Sequence, residues 1–376
     1  MPGMVDIGTL DEAIRSRKRV SGLTHALYRY PARFAPEFAR AAILEFTQPD
    51  DWIIDPFVGG GTSAVEALAS GRRVAAIDLN PLAVLLTRAK TTPLYKRDVI
   101  ALREWLQNTE SPQLVEDRRL FNAPREHVAT LAPLAAAVTS LMTPRQQDAA
   151  KALLVHVGQW ALDGRQASLP ADRLRVELDR MLDRHAAAMQ ALTAGAAHHG
   201  LRPSDLLRRR IVRQGHTATI AAGRPWNRLT RRFRLVLTSP PYPSVHVLYH
   251  RWQVNGRAET PLPYWLSNSN DGLGESYYTM GGRARGSEDV YFRTITESFS
   301  AIRRLLLPDA RIVQLVSFSS VERQLPMYLA AMDEAGYDAV GADPTRREVP
   351  NRRWYYRVQP ERGRTHEYLL IHRLRS

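Results

Sequence analysis

The stretch DWIIDPFVGGGTSAVEALASGRRVAAIDLNPLAVLLTRAK, residues 51–90, decides the fold. Its opening, DWIIDPF (51–57), is a short apolar strand ending in a turn. GGGTSAVEALASG (59–71) is a glycine-rich loop that opens a helix, and Gly71 stops that helix. RRVAAIDLN (72–80) reads as a second buried strand, and PLAVLLTRAK (81–90) as a second helix with proline in its first turn. Strand, loop, helix, strand and helix in this order build a parallel sheet with right-handed crossovers.

Working outward, PARFAPEFARAAILEF (31–46) reads as a turn leading into an amphipathic helix with Phe38, Ala41, Ala42 and Phe46 on one side. Residues 96–207 read as almost wholly helical, with clear helical spacing in 131–142, 149–162 and 173–192. RFRLVLTS (232–239) returns to the strand pattern. Residues 250–288, rich in Gly, Ser, Asn and Arg with scattered aromatics, read as a long functional loop. A helix over 290–306, a strand over 310–318, a helix over 322–335 and strands near 338–342 and 367–373 complete the chain. The expected fold class is α/β: one sheet interrupted by a helical insertion of roughly a hundred residues, the size of a small domain. The expected division is 1–95 and 208–376 as the two parts of the sheet domain, with 96–207 between them.

The chain has 376 residues, 44% of them hydrophobic and 24% charged, as in ordinary globular proteins. No apolar run is long enough to span a bilayer. The first residues carry acids and no signal-type apolar stretch, so a bacterial cytoplasm is the expected location. The formal net charge is +14 with a pI near 10.3. Lysine occurs only at 18, 90, 96 and 151, so arginine supplies nearly all of the positive charge. An arginine-for-lysine bias has a genomic explanation, but the excess of bases over acids suits a polyanionic partner. The absence of cysteine removes disulfides, thiolate metal sites and a cysteine nucleophile. No metal-ligand spacing is present, so no metal is expected.

Two motifs carry chemistry. Asp55-Pro56-Phe57-Val58-Gly59-Gly60-Gly61-Thr62 sits at the carboxyl end of a strand, where open parallel sheets bind ligands. Its glycines let backbone N–H groups approach a ligand. About 20 residues on, the next strand ends in Asp78, the spacing at which an acid bonds the ribose of an adenosine-containing cofactor. A glycine-rich turn alone also fits a dinucleotide enzyme or a bare structural turn, although the GxGxxG form is missing. The second motif is Thr238-Ser239-Pro240-Pro241-Tyr242, which follows the strand RLVL. Two consecutive prolines fix both φ angles and donate no backbone hydrogen bonds. Their carbonyls are left aimed outward beside a hydroxyl and an aromatic face, a receptor for a flat ring bearing an NH2.

These two motifs together resemble the cofactor and catalytic motifs of the DNA amino-methyltransferases that modify N6 of adenine or N4 of cytosine. Tyr30-Pro31-Ala32-Arg33-Phe34 resembles that family's first cofactor-contacting segment. Val349-Pro350-Asn351-Arg352 with His366-Glu367-Tyr368-Leu369-Leu370 resembles the closing hairpin of its TSPPY-type members. The resemblance covers most of 20–95 and 210–376. It implies a Rossmann-like methyltransferase sheet, S-adenosylmethionine as cofactor and double-stranded DNA as partner, hence association with the nucleoid. A separately acting restriction endonuclease is a further partner that would go with it.

The resemblance also implies site residues. Tyr30, Ala32, Arg33, Phe34, Asp55, Pro56, Phe57, Gly59, Gly61, Thr62, Asp78 and Asn80 would meet the cofactor. Phe57 faces the sulfonium or packs in the core; both readings stay open. Ser239, Pro240, Pro241 and Tyr242 would be catalytic, with Tyr242 stacking on a flipped base. Serine at the first motif position, where adenine enzymes often carry aspartate, tilts the target towards N4 of cytosine, with N6 of adenine and a structured RNA as the alternatives. Methylation at C5 of cytosine, which needs a cysteine adduct, is excluded. Where relatives carry Gly-Asp near the cofactor's adenine, Gln214-Gly215-His216-Thr217 departs, and His216 receives no role. Arg251, Arg257, Arg283 and Arg285, among the aromatics of the 250–288 loop, are the candidates for DNA contact. Sequence recognition falls to that loop or to the 96–207 insertion.

Overall fold

The computed structural model describes residues 7–15, 20–30, 33–109, 117–220, 223, 226–229, 232–243, 251–256, 258–269, 280, 286–341, 345–350 and 364–375. The expected unit over 51–90 is present. Strand β1 (Trp52–Asp55) leads through the glycines into a helix, Thr62–Ala69, then β2 (Arg73–Asp78) and a second helix, Pro81–Thr91. Next in the sheet come β3 (Arg210–Gln214) and β4 (Phe233–Thr238). A small hairpin, β5 (Trp252–Val254) and β6 (Ala258–Thr260), precedes β7 (Leu306–Ser317), β8 (Tyr337–Ala339), β9 (Thr345–Pro350) and β10 (Arg364–Leu374).

The sheet order is β3-β2-β1-β4-β7-β10-β8, with β9 pairing on β10. Strands β3, β2, β1, β4 and β7 run parallel, whereas β10 is antiparallel to β7, β8 and β9. Chain order runs outward from β1 in one direction through β2 and β3, then resumes on its other side at β4. The reversal lies between β1 and β4, and ligands bind at such a switch, beyond the carboxyl ends of the strands.

Alternation along the strands fills two layers. Ile53, Val74, Ala76, Leu235, Leu237, Val313, Leu315, Leu369 and Ile371 face a layer closed by the helices Ile7–Arg15, Pro36–Phe46 and Thr62–Ala69. Ile54, Ala75, Ile77, Val236, Ile312, Val316, Tyr368 and Leu370 face one closed by the helices Ser287–Arg303 and Val321–Glu334. A third cluster lies in the helices of the insertion, chiefly Lys96–Asn108, Arg125–Ala137, Pro144–Leu162 and Arg173–Ala197. Thr143 and Gln146 form a capping box at the start of the third of these. No helix among the described residues is long and apolar enough to cross a membrane.

Three sequence expectations need correction. The helix Pro36–Phe46 buries Phe38, Ala39, Ala42 and Ile43, while Ala41 and Phe46 are only half-buried. Its core stripe is therefore wider than the expected one, since Ala41 and Phe46 still pack against the same cluster and Ala39 and Ile43 join it. Strand β3 was not legible, since RIVRQ is short, half-polar and flanked by arginines, and its pairing with β2 makes it a strand. The expected functional loop, finally, is structured in its first part. Trp252 is 2% exposed and Tyr264 is fully buried against the insertion. Gly158 makes the room, because a Cβ there would lie 2.6 Å from the Trp252 ring. Trp252 Nε1 donates to the Tyr28 hydroxyl at 3.0 Å, which ties this segment to the N-terminal one. These two aromatics dock the chain, and are not free to stack on a nucleic acid.

Candidate active site

The glycine loop is held by carboxylates from two strand ends. Asp55, 1% exposed, accepts the Phe57 N–H at 3.1 Å, the Thr238 hydroxyl at 2.6 Å and the Ser63 hydroxyl. Burial pushes its carboxyl up to about 6, with those three donors pulling the other way. The sequence reading placed Asp55 against the cofactor; its side chain instead ties the start of the glycine loop to the end of β4. At the end of β2, Asp78 accepts the Gly59 N–H at 2.8 Å and the Asn80 N–H at 2.9 Å. Burial raises its carboxyl to about 6 as well. A carboxylate has about four acceptor positions, and Asp78, which also accepts from the Leu79 backbone, is only half-buried, so it keeps capacity for a further donor such as a ribose hydroxyl.

Gly59 and Gly61 have φ of +49° and +78°, a region that side chains rarely adopt. A Cβ on Gly61 would lie 2.9 Å from Thr87 Oγ1, and one on Gly60 2.9 Å from the Cβ of Tyr30. Tyr30 therefore lies directly on the loop, its hydroxyl accepting from Asn80 Nδ2 at 3.3 Å. Asn80, 2% exposed, caps the helix Pro81–Thr91 through the Leu82 N–H at 2.9 Å and accepts the Tyr264 hydroxyl at 3.2 Å. Its side chain is thus taken up inside the protein, not presented to a cofactor as expected. Phe34, 8% exposed, packs edge-on to Phe38. Arg33 donates to the carbonyls of His25 and Tyr28 at 3.1 and 3.2 Å, and burial lowers its pKa to about 10. Half-buried Phe57 lies 6.4 Å from the Phe299 ring, packed at the edge of the core. Pro56 offers its carbonyl to the Thr217 hydroxyl at 2.7 Å, and Thr62, 5% exposed, starts the helix after the glycines. Ala32 lies outside the described residues.

Sequence reasoning missed Lys90. It is 1% exposed, and its ammonium donates to the Gly60 carbonyl at 2.7 Å. Burial, with Arg33 nearby, lowers its pKa well below the usual lysine value. Nothing in AK at a helix end announces a buried cation; only the packing of that helix under the glycine loop does. Glu66, fully buried, likewise binds His25 at 2.7 Å and Arg40 at 2.9 Å, pinning the N-terminal segment to the first helix of the unit.

The second motif leaves β4 beside this loop. Ser239 Oγ lies 2.8 Å from the Leu315 carbonyl and 3.3 Å from the Tyr242 hydroxyl, donating to either. The Tyr242 hydroxyl donates to Glu367 Oε1 of β10 at 2.9 Å. Pro240 is buried and Pro241 half-buried, and no described group donates to the Pro240 carbonyl. Tyr242 itself is 3% exposed and packed in the core. The expectation that its ring stacks on a base is therefore corrected: its face is covered and its hydroxyl is what reaches the site. His216 Nδ1 accepts the Ala218 N–H at 3.2 Å, a local turn contact.

Of the arginines assigned to DNA, Arg251 lies 3.8 Å from Glu259 and over the Phe121 ring at 5.5 Å, so its charge is engaged within the protein. Arg257, Arg283 and Arg285 lie outside the described residues.

The arrangement offers groups that an adenosine cofactor with a methyl sulfonium can use: an acidic strand end beside a glycine loop and, one strand over, a hydroxyl and a carbonyl to which no described group donates. Residues 11–88 match the model of a DNA methylase family that comprises N6 and N4 methyltransferases. This segment is similar to the N6/N4 DNA methylase family. The chain is 46% identical over 76 residues to the type II methyltransferase M.MvaI of Kocuria varians, covering 19% of this chain and 16% of that protein. It is 30% identical over 91 residues to the type II methyltransferase M.MjaII of Methanocaldococcus jannaschii, covering 24% and 17%. The matches thus span about a sixth of those relatives. Among solved structures, TrmN from Thermus thermophilus aligns at 12% identity and a TM-score of 0.34, over 90% of this chain and 48% of that one. A geranyl diphosphate methyltransferase in complex with SAM aligns at 8% identity and 0.33, over 94% and 96%.

Proposed function

We propose that the chain methylates N4 of cytosine in duplex DNA, with S-adenosylmethionine as the methyl donor. The carrying observation is the polarity around Ser239: its hydroxyl is held by the Leu315 carbonyl at 2.8 Å, which can only accept. The Ser239 proton therefore points inward and its lone pairs point out, beside the Pro240 carbonyl. Two outward acceptors suit the two N–H bonds of an exocyclic amine.

The amino nitrogen of cytosine is a poor nucleophile because its lone pair is conjugated with the ring. With one N–H on Ser239 Oγ and the other on the Pro240 carbonyl, that nitrogen is drawn towards tetrahedral geometry and its lone pair is freed. S-adenosylmethionine supplies an electrophilic methyl group. The Asp78 carboxylate would hold its ribose hydroxyls, and the glycine loop would let it lie close. Positioning and preorganised dipoles then carry the catalysis. The direct Thr238–Asp55 hydrogen bond keeps the two loops in one register. A base inside a duplex is out of reach, so the target must be flipped. The net charge of +14 supplies attraction to phosphates. The match of residues 11–88 to a DNA methylase model supports DNA as the substrate. Within this reading, 1–95 and 208–376 form the catalytic domain, and target recognition falls to 96–207 or to the 250–288 segment.

Digestion of methylated product DNA to nucleosides and mass spectrometry test the target atom. N4-methylcytosine is expected. N6-methyladenine alone would sink the cytosine assignment and leave the cofactor site standing.

A further inference from the structure

Glu367 lies outside the Ser239–Tyr242 motif, in the closing-hairpin stretch, yet it is 3% exposed and lies within hydrogen-bonding distance of Tyr242. It reaches that position because β10 runs antiparallel beside β7, with Glu367 opposite Ser317 in the ladder and Arg347 opposite it on β9. The chain Ser239 Oγ, Tyr242 hydroxyl, Glu367 Oε1 has separations of 3.3 and 2.9 Å.

Hydrogen-bond direction along this chain is set by its end. An ionised carboxylate only accepts, whereas a phenol both donates and accepts. Tyr242 has one proton, and Glu367 takes it. The phenol oxygen then meets Ser239 as an acceptor. The Leu315 carbonyl on the other side of Ser239 is an acceptor too. With acceptors on both inner sides, the serine proton stays inward and its lone pairs face outward. Were Glu367 not to take the tyrosine proton, Tyr242 would donate to Ser239 and occupy a lone pair that the substrate amine needs.

We propose that Glu367 is a positioning residue which, through Tyr242, keeps Ser239 polarised as a hydrogen-bond acceptor for the substrate's amino group. This rests on the methyltransferase reading above, and explains how a motif with serine in place of aspartate presents a dependable acceptor. The carboxyl group that sets this polarity sits one tyrosine away, on β10, two strands over from β4.

The test uses the full-length chain, tritiated S-adenosylmethionine and unmethylated duplex DNA, with Glu367→Gln, Tyr242→Phe and the double variant. Glutamine can donate to the phenol oxygen and so lets the tyrosine proton turn towards Ser239. Glu367→Gln should lower kcat about 10–100-fold, with KM for DNA and cofactor Kd within about twofold. Tyr242→Phe should cost less, because the Leu315 carbonyl still holds the serine proton. The double variant should recover to the Tyr242→Phe level, since without the phenol the glutamine has nothing to misdirect. A merely structural glutamate would give losses that add. Additive losses, or an unchanged kcat in Glu367→Gln, overturn the proposal. Polarity is also read without substrate, from the ring 13Cζ resonance of Tyr242, assigned with Tyr242→Phe. It should move on Glu367→Gln, and a stationary resonance overturns the proposal whatever the DNA assay gives. A wild-type chain that methylates no DNA, but shows the resonance shift, would refute the substrate reading alone.

Discussion

The loops that follow β1 and β4 leave neighbouring parallel strands in the same direction, and they are held by opposite means. The first owes its shape to glycines at φ of +49° and +78°, which have no stiffness of their own. It is therefore stapled from outside by Asp55, Asp78, Lys90 and the Tyr30 ring. The second contains two prolines that bring their own rigidity, and it needs only side-chain anchors at its ends, Thr238 on Asp55 and Tyr242 on Glu367. A loop of glycines gives up its own side chains, and here Tyr30 and Thr87 fill the room they leave, so its order is supplied by neighbours. A loop that presents a carbonyl to a substrate can be stiff in itself. Asp55 serves both, since it accepts from each.

If the proline loop works as a rigid acceptor pair, removing one acceptor should cost rate and little else. Ser239→Ala is expected to lower kcat by about 10–1000-fold while cofactor Kd holds, because one preorganised dipole is lost. Steady-state kinetics beside calorimetry measure this, and a parallel loss of cofactor affinity would mean that the two loops are not separable.

The shared staple should show up in stability before function. Asp55→Ala leaves the Ser63 and Thr238 hydroxyls and the Phe57 N–H without their acceptor. With about 1–3 kcal/mol for each orphaned donor that stays buried, a loss of about 3 kcal/mol is expected. Denaturant unfolding reads it directly, and an unmoved midpoint would show that the loops hold their places without Asp55.

The smallest effect separates the two carboxylates of the glycine side. Asp78 lies at about 6 and is the one with capacity for a ligand. Ribose hydroxyls donate to the ionised form, so cofactor affinity should weaken as pH falls through about 6, by roughly tenfold for a charge-assisted bond. Asp55 titrates in the same range but is spent internally. Asp78→Asn should therefore flatten the profile. A slope that survived in that variant would belong to Asp55 and the loop's own integrity.

The sequence alone carried the β1 to β2 unit, the positions of Asp78, Ser239 and the two prolines, and the presence of a helical insertion. Those features are local: a strand's apolar run, a glycine turn and fixed proline φ angles act within a few residues. Tertiary structure decided what the motif residues do with their side chains. Asp55 and Asn80 look like ligand contacts in a linear motif, and are turned inward by donors from β4 and from the 258–269 segment. Tyr242 looks like a stacking surface, and is packed into the core with only its hydroxyl at the site. Trp252 and Tyr264 sit in a polar, arginine-bearing stretch, and are claimed by the gap that Gly158 leaves on a helix nearly a hundred residues earlier. Lys90 and Glu367 acquire their places only when a helix slides under the glycines and β10 enters the sheet antiparallel. A buried polar side chain is expensive without a partner, and those partners come from elements far away in the chain, which no local pattern of residues encodes.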